Sequence, residues 1–196
     1  APVWLDQVHG ADVVLLTAGD ADAGRPLPRA DAAVSTVPGL ACAVLVADCL
    51  PVLLCSDNGL AVGAAHAGWR GLAGGVLENT RALVGREAGC TPAQGQAWMG
   101  ACIGPREFEV GADVLQAFGV EALAVDQAHF AFRPRADGAR RWLADLPALA
   151  RARLQRAGVD RVAGGHWCTV QGDSRFFSFR RERRTGRMAA AIALRA

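Results

Sequence analysis

The chain of 196 residues contains no tyrosine, only four histidines, and no Cys-x-x-Cys pair among its six cysteines. Each shortage excludes something. Without tyrosine, no phenol can serve as an acid or hydrogen-bond donor. The cysteines, at 42, 49, 55, 90, 102 and 168, lack the spacing of a zinc ribbon or a disulfide scaffold, and most sit in apolar runs where a free thiol packs as a small hydrophobe. That is a reduced, cytosolic pattern, so a cytoplasmic protein is expected. No apolar run approaches the ~20 residues needed to span a bilayer, and no charged-then-apolar leader opens the chain. No repeat and no Pro-, Gly- or Ser-rich linker divides it, so one domain over 1–196 is expected. The chain starts at Ala1, not Met, and runs straight into Val3-Trp4-Leu5, which predicts a missing upstream segment.

Net charge is only +2. Residues 1–98 carry five Arg against nine acidic groups, and the remainder 16 Arg against ten. The basic surplus is therefore local. Seven Arg fall within 175–196, either as a solvated face or as an anion site, and they are not interleaved with any nucleic-acid module. Neither nucleic acid nor membrane is an expected partner.

Short apolar runs at 13–16, 41–47, 51–55, 60–65, 97–103 and 188–194 read as strands, several apolar on both faces. Helical periodicity is found at 72–86 (Leu72, Val76, Leu77, Thr80, Leu83, Val84) and 142–157 (Leu143, Leu146, Leu149, Ala150, Leu154). A shorter helix is expected at 110–118, with Gly119 as its C-cap. Hairpins mixed with helices predict an α+β fold.

The most informative stretch is His66-Ala67-Gly68-Trp69-Arg70-Gly71, where an apolar strand gives way to a helix. Asp57-Asn58-Gly59 before it is a turn signal, preceded by the apolar run 51–55. Folding about Asp57-Asn58 sets Cys49 opposite His66. Folding about Asn58-Gly59 sets Pro51 there instead. In either register thiol and imidazole come close, since facing Cβ atoms lie ~4.5–5.5 Å apart and diagonal ones ~7–8 Å. One Cys and two His would suit zinc with an open fourth position. Cys49 and His66 are placed by the hairpin; His9, in Gln7-Val8-His9-Gly10, is not placed by spacing.

QVHG at 7–10, ADAAVSTVPG at 30–39, VADCLPVLL at 46–54, HAGWRG at 66–71, IGPREFEVG at 103–111, CT at 168–169 and FFSFRRERRTGRMA at 176–189 together resemble the YfiH family. This family was long described as laccase-domain or multicopper polyphenol oxidase proteins. It is now understood as purine nucleoside phosphorylases with deaminase activity. The resemblance implies metal ligands at His9, Cys49 and His66. It also implies an N-terminal segment with an Arg-Gly-Gly stretch, which nothing here matches, so 1–196 is read as a catalytic domain lacking that segment. Phe179 stands where members often have Tyr, and Ala101 where Pro is common. The expected architecture is α+β, with mixed sheets and helices layered as an α/β/β/α sandwich.

The function expected is a zinc-dependent phosphorylase acting on adenosine, inosine and 5′-methylthioadenosine, with adenosine deaminase activity and copper as a substitute metal. Its partners would be purine nucleosides and phosphate, and its state a monomer or weak homodimer. An open zinc site lowers the pKa of bound water to ~7. Asp48, beside Cys49, is the candidate acid/base, with orientation of the ligand as its alternative role. Phosphorolysis needs an anion site: Arg70 supplies a bidentate fork, Gly68 and Gly71 free backbone N–H groups at a helix start, and Arg180 and Arg181 are further candidates. Only one of those two neighbours should face the site. Trp69, Phe108, Phe176 and Phe177 are candidates to stack on a purine. A metal-free cysteine hydrolase, with Cys49 as nucleophile and His66 as base, is the alternative, since relatives have been linked to editing of peptidoglycan precursors. True laccase chemistry is disfavoured, because four histidines cannot furnish a blue site and a trinuclear cluster.

Overall fold

The apolar runs become strands, and the periodic segments helices, in a computed structural model that describes residues 1–22, 24–171 and 175–195. In chain order these are β1 (Pro2–Val3), β2 (Val13–Leu15), β3 (Ala32–Ser35), β4 (Ala41–Val46), β5 (Leu50–Ser56), β6 (Val62–Ala67), α1 (Trp69–Gly74), α2 (Val76–Ala88) and β7 (Gly95–Met99). There follow β8 (Glu109–Val110), α3 (Ala112–Ala117), β9 (Phe130–Phe132), β10 (Trp142–Ala144), α4 (Leu146–Arg156), β11 (Arg161–Gly164), α5 (Phe179–Glu182) and β12 (Met188–Ala193). The result is an α+β fold. A six-stranded mixed sheet, β11-β7-β5-β6-β3-β2, forms its middle. Helix α2 packs on one face, burying Val76, Leu77, Thr80 and Val84. The three-stranded sheet β1-β4-β12 packs on the other.

Strand β6, Val-Gly-Ala-Ala-His-Ala, is buried along its whole length. Its small residues let both neighbours approach. A Cβ on Gly63 would lie 3.1 Å from Thr80 Cγ2 and 3.2 Å from Val84 Cγ2, so glycine here sets the distance of α2 from the sheet. Alternation along the strand sends Ala65 and Ala67 to the α2 side, where they join the larger core, and Ala64 to the side of the small sheet. His66 therefore points between the two sheets. The outer face of the small sheet, with Ala189, Ala191 and Ala193, is exposed among the described residues. No described helix is long and apolar enough to cross a membrane.

Several boundaries depart from the sequence reading, each for a local reason. The helix expected over 72–86 is two helices, because Gly75 adopts φ 96° and closes α1 before α2 begins. The segment 142–157 starts as a strand: Trp142 is fully buried and donates Nε1–H to the Leu123 carbonyl at 3.0 Å. Only after Asp145, whose carboxylate caps Ala148 N at 2.9 Å, does α4 follow. The strand expected at 97–103 runs from Gly95 to Met99. Helix α3 starts at Ala112, since Val110 is held in β8, and Gly119 with φ 71° follows its end. The hairpin takes the register in which Pro51 faces His66. Its loop spans residues 57–60, closed by Ser56 N donating to Ala61 O at 3.0 Å, with Gly59 at φ 69°.

Candidate metal centre and its cavity

Cys49 immediately precedes β5, diagonal to His66 near the end of β6, and His9 arrives from the loop between β1 and β2. One ligand-type atom from each of His9, Cys49 and His66 lies within 4.8 Å of the others, the sole such trio of His, Cys, Asp or Glu among the described residues. The two imidazoles meet edge to face, centroids 4.8 Å apart at 80°. The donor set, two neutral nitrogens and a thiolate, suits zinc. Zn–S near 2.3 Å and Zn–N near 2.0 Å place tetrahedral ligand atoms roughly 3.5 Å apart, so the trio would draw together to close on an ion.

A residue that the sequence reading passed over holds the two histidines of this trio. Asp31, the residue before β3, is completely buried. Its Oδ1 lies 2.7 Å from His66 Nδ1 and accepts His9 N–H at 2.9 Å; its Oδ2 accepts Gly10 N–H at 2.6 Å and Val8 N–H at 3.1 Å. Nε2 is thus the free nitrogen of His66. The one signal in the sequence is an acid at the head of an apolar strand, a place where an unpaired charge would be costly. Burial pushes the Asp31 carboxyl up, but the His66 ring and the backbone N–H groups outweigh it and hold it below its usual range.

The electrostatics of Cys49 and His66 are coupled. Burial raises the Cys49 thiol, yet the His66 and His9 rings beside it bring it down to about 7. Burial alone would lower His66; Asp31 and Cys49 raise it to about 9. By contrast, burial pushes the Cys42 thiol up to about 12. In the metal-free site the thiolate of Cys49 and the imidazolium of His66 therefore stabilise one another.

Glycines close the assembly. A Cβ on Gly68 would lie 2.9 Å from Cys49 Sγ and 3.2 Å from His9 Cδ2, and one on Gly71 would lie 2.5 Å from the Gly10 carbonyl oxygen. Gly68 and Gly71 are thus spaces for the ligands and the His9 turn. A Cβ on Gly10, by contrast, would meet only ordinary contacts, at 3.5 and 3.6 Å.

The trio opens into a cavity of about 530 Å³, lined by Trp69, Ile103, Phe108, Leu146 and Phe179 on its apolar side and by Asp48, Arg180 and Arg187 on its polar side. Asp48, at φ 91°, is heavily engaged: Oδ1 accepts Thr169 Oγ1–H at 2.6 Å and Oδ2 accepts Arg180 N–H at 2.6 Å. Arg180 has its guanidinium carbon 5.7 Å from the Phe108 ring centroid. Arg181 points away, donating to the carbonyls of Thr169 (2.8 Å), Val170 (3.2 Å) and Phe176 (2.9 Å). Arg70 is exposed, stacked 4.3 Å from the Trp69 centroid, and does not line the cavity. Neither do Phe176 and Phe177. Arg187 was missed because nothing distinguishes it within an arginine-rich run; among the described residues it donates only to its own turn, at Thr185 and Gly186. His129 and His166 line a separate cavity of about 540 Å³.

The chain as a whole is similar to known proteins. The family described as multi-copper polyphenol oxidoreductase laccase matches residues 1–195. Over 194 residues the chain is 50% identical to purine nucleoside phosphorylase YfiH of Escherichia coli, covering 98% of this chain and 74% of that one. The chain belongs to the YfiH family. Purine nucleoside phosphorylase PA4543 of Pseudomonas aeruginosa is 48% identical, over 98% of this chain and 74% of its own length. Among solved structures, NMB0706 of Neisseria meningitidis superposes with a TM-score of 0.83 at 45% identity, covering 100% of this chain and 75% of the other. YfiH of Bacillus licheniformis does so at 0.87 and 30% identity, covering 99% and 74%.

Proposed function

We propose that residues 1–196 act as one catalytic unit, a zinc-dependent purine nucleoside phosphorylase that also deaminates adenosine. The observation that carries this reading is that a Cys/His/His trio, an aromatic wall and two arginines share one cavity, of a volume typical for small-molecule sites. Relatives at 50% and 48% identity bear the name purine nucleoside phosphorylase. His9, Cys49 and His66 would hold the zinc, which would supply Lewis-acid activation of water for the deamination. Phe108, Trp69 and Phe179 offer faces on which a purine stacks. Arg180 and Arg187, the cations that line the cavity, take the phosphate, in place of Arg70 and Arg181. In phosphorolysis a phosphate oxygen bonds to C1′ as the C1′–N9 bond breaks, yielding free base and ribose 1-phosphate. In deamination water replaces the amino group of adenosine, yielding inosine and ammonia. Asp48, with both carboxylate oxygens accepting hydrogen bonds, fixes Thr169 and the start of α5 beside the reactants.

Multi-copper chemistry fits less well, because two of the four histidines line the other cavity. A second reading has its own observation: Cys49, His66 and Asp31 stand in the order nucleophile, base and orienter of a cysteine hydrolase. One experiment tests both readings. The zinc-assayed protein is incubated with adenosine, inosine and 5′-methylthioadenosine, with and without phosphate, and products are separated by chromatography. Free base is expected only with phosphate, and inosine from adenosine without it. No turnover of any nucleoside, with cleavage of a muramyl-amino-acid bond by zinc-free protein, would replace the first reading with the second.

A further inference from the structure

Asp31 spends every acceptor site it has. A carboxylate offers about four lone-pair positions, and here His66 Nδ1, His9 N, Gly10 N and Val8 N occupy them, two on each oxygen. These bonds reach both imidazole ligands at once, one through its ring and the other through its backbone. His9 needs the second kind of support. Its φ of 61° lies in the left-handed region, which a non-glycine residue keeps only where its surroundings over-determine it. It is also exposed, so burial does not fix it. Three successive N–H groups converging on one carboxylate form a nest around that oxygen pair. Asp31 has no lysine or arginine partner among the described residues; its ion-pair contact is His66.

We propose that Asp31 is the positioning residue that joins His9 and His66 into one preformed ligand pair, orienting the His66 ring to free Nε2 and holding the His9 turn in its left-handed conformation. The inference rests on the metal-site reading above. It also accounts for charge: the Asp31 carboxylate and the Cys49 thiolate together balance a divalent cation. Asparagine has the same shape but only one acceptor oxygen, and its NH₂ group would confront N–H donors on the other side. No rotation of the amide satisfies both sides.

The test is zinc affinity, measured by competition with a chromophoric chelator, in the wild type, Asp31→Asn, His9→Ala and the double variant. Asp31→Asn is expected to weaken zinc 10- to 100-fold, the usual range for losing a hydrogen-bonded support behind a ligand. In the His9→Ala background its effect should shrink by several-fold, since holding the His9 turn then gains nothing; a merely structural carboxylate gives effects that multiply. Amide hydrogen exchange on the unmodified protein provides a second readout that requires no variant to fold. The His9 and Gly10 amides should be protected despite the exposed loop, and fast exchange at both would overturn the proposal. So would wild-type zinc affinity in a folded Asp31→Asn. If the wild type binds no zinc, the metal reading fails; if it binds and the cycle is multiplicative, only the role of Asp31 fails.

Discussion

Gly68→Ala separates the metal site from the fold. Gly68 has φ −66° and ψ 161°, a conformation alanine adopts freely. The substitution therefore brings no backbone strain, and loss of freedom in the unfolded chain favours the variant by about 0.4–1 kcal/mol. The added methyl carbon, however, would lie 2.9 Å from Cys49 Sγ and 3.2 Å from His9 Cδ2, against roughly 3.5–4.0 Å for an unstrained contact. Both neighbours are ligands, so relief comes from moving ligands apart by about half an ångström. Overpacking of this kind costs about 1–3 kcal/mol. Charged to the metal complex, that is a five- to 150-fold weaker zinc affinity. Chelator competition reads the affinity, and thermal unfolding in excess chelator reads the fold. Zinc binding is expected to weaken within that range while the metal-free melting temperature changes by no more than about 4 °C. Unchanged affinity, or a metal-free destabilisation as large as the loss in binding, would refute the assignment of Gly68 to the ligand cluster.

Two further outcomes follow from the site's geometry. Because the Cys49 thiol is held near 7 and the Cys42 thiol near 12, alkylation of metal-free protein should rise about tenfold per pH unit up to about pH 7 and then level off, with peptide mapping finding label on Cys49 and none on Cys42. Bound zinc should protect Cys49. Arg181→Ala strips three carbonyls of their donor and should cost about 2–3 kcal/mol, roughly 4–12 °C in melting temperature. Arg187→Ala, which among the described residues breaks hydrogen bonds only within its own turn, should leave the melting temperature alone and raise the phosphate KM about tenfold in steady-state kinetics; an unchanged KM would remove Arg187 from the anion site.

The chain's own order determines a good deal of this protein. The turn at Asp57-Asn58-Gly59 and the apolar runs beside it make a hairpin whichever register is taken, so Cys49 and His66 had to lie near one another. The small residues of β6 mark a strand buried on both faces, and the stripe from Val76 to Val84 marks the helix that covers one of them. Those are local signals, carried by neighbours in sequence. Register itself was open, because a shift of the turn by one residue leaves both versions hairpin-like; in the register adopted, Ser56 N donates to Ala61 O.

Only the tertiary structure decided the rest, and distance along the chain is the reason. His9 and His66 are joined by Asp31, 22 residues from one and 35 from the other, and no periodicity links such positions. Arg180 and Arg181 are equal in sequence, but one enters the cavity while the other ties down Thr169, Val170 and Phe176. Arg70, beside the most informative glycines, stacks on Trp69 without lining the cavity, while Arg187 lines it. The sequence determined which chemical groups the chain carries. Which charged groups face one another depended on where each backbone turn aimed them, and that is set by contacts made after the strands and helices have met.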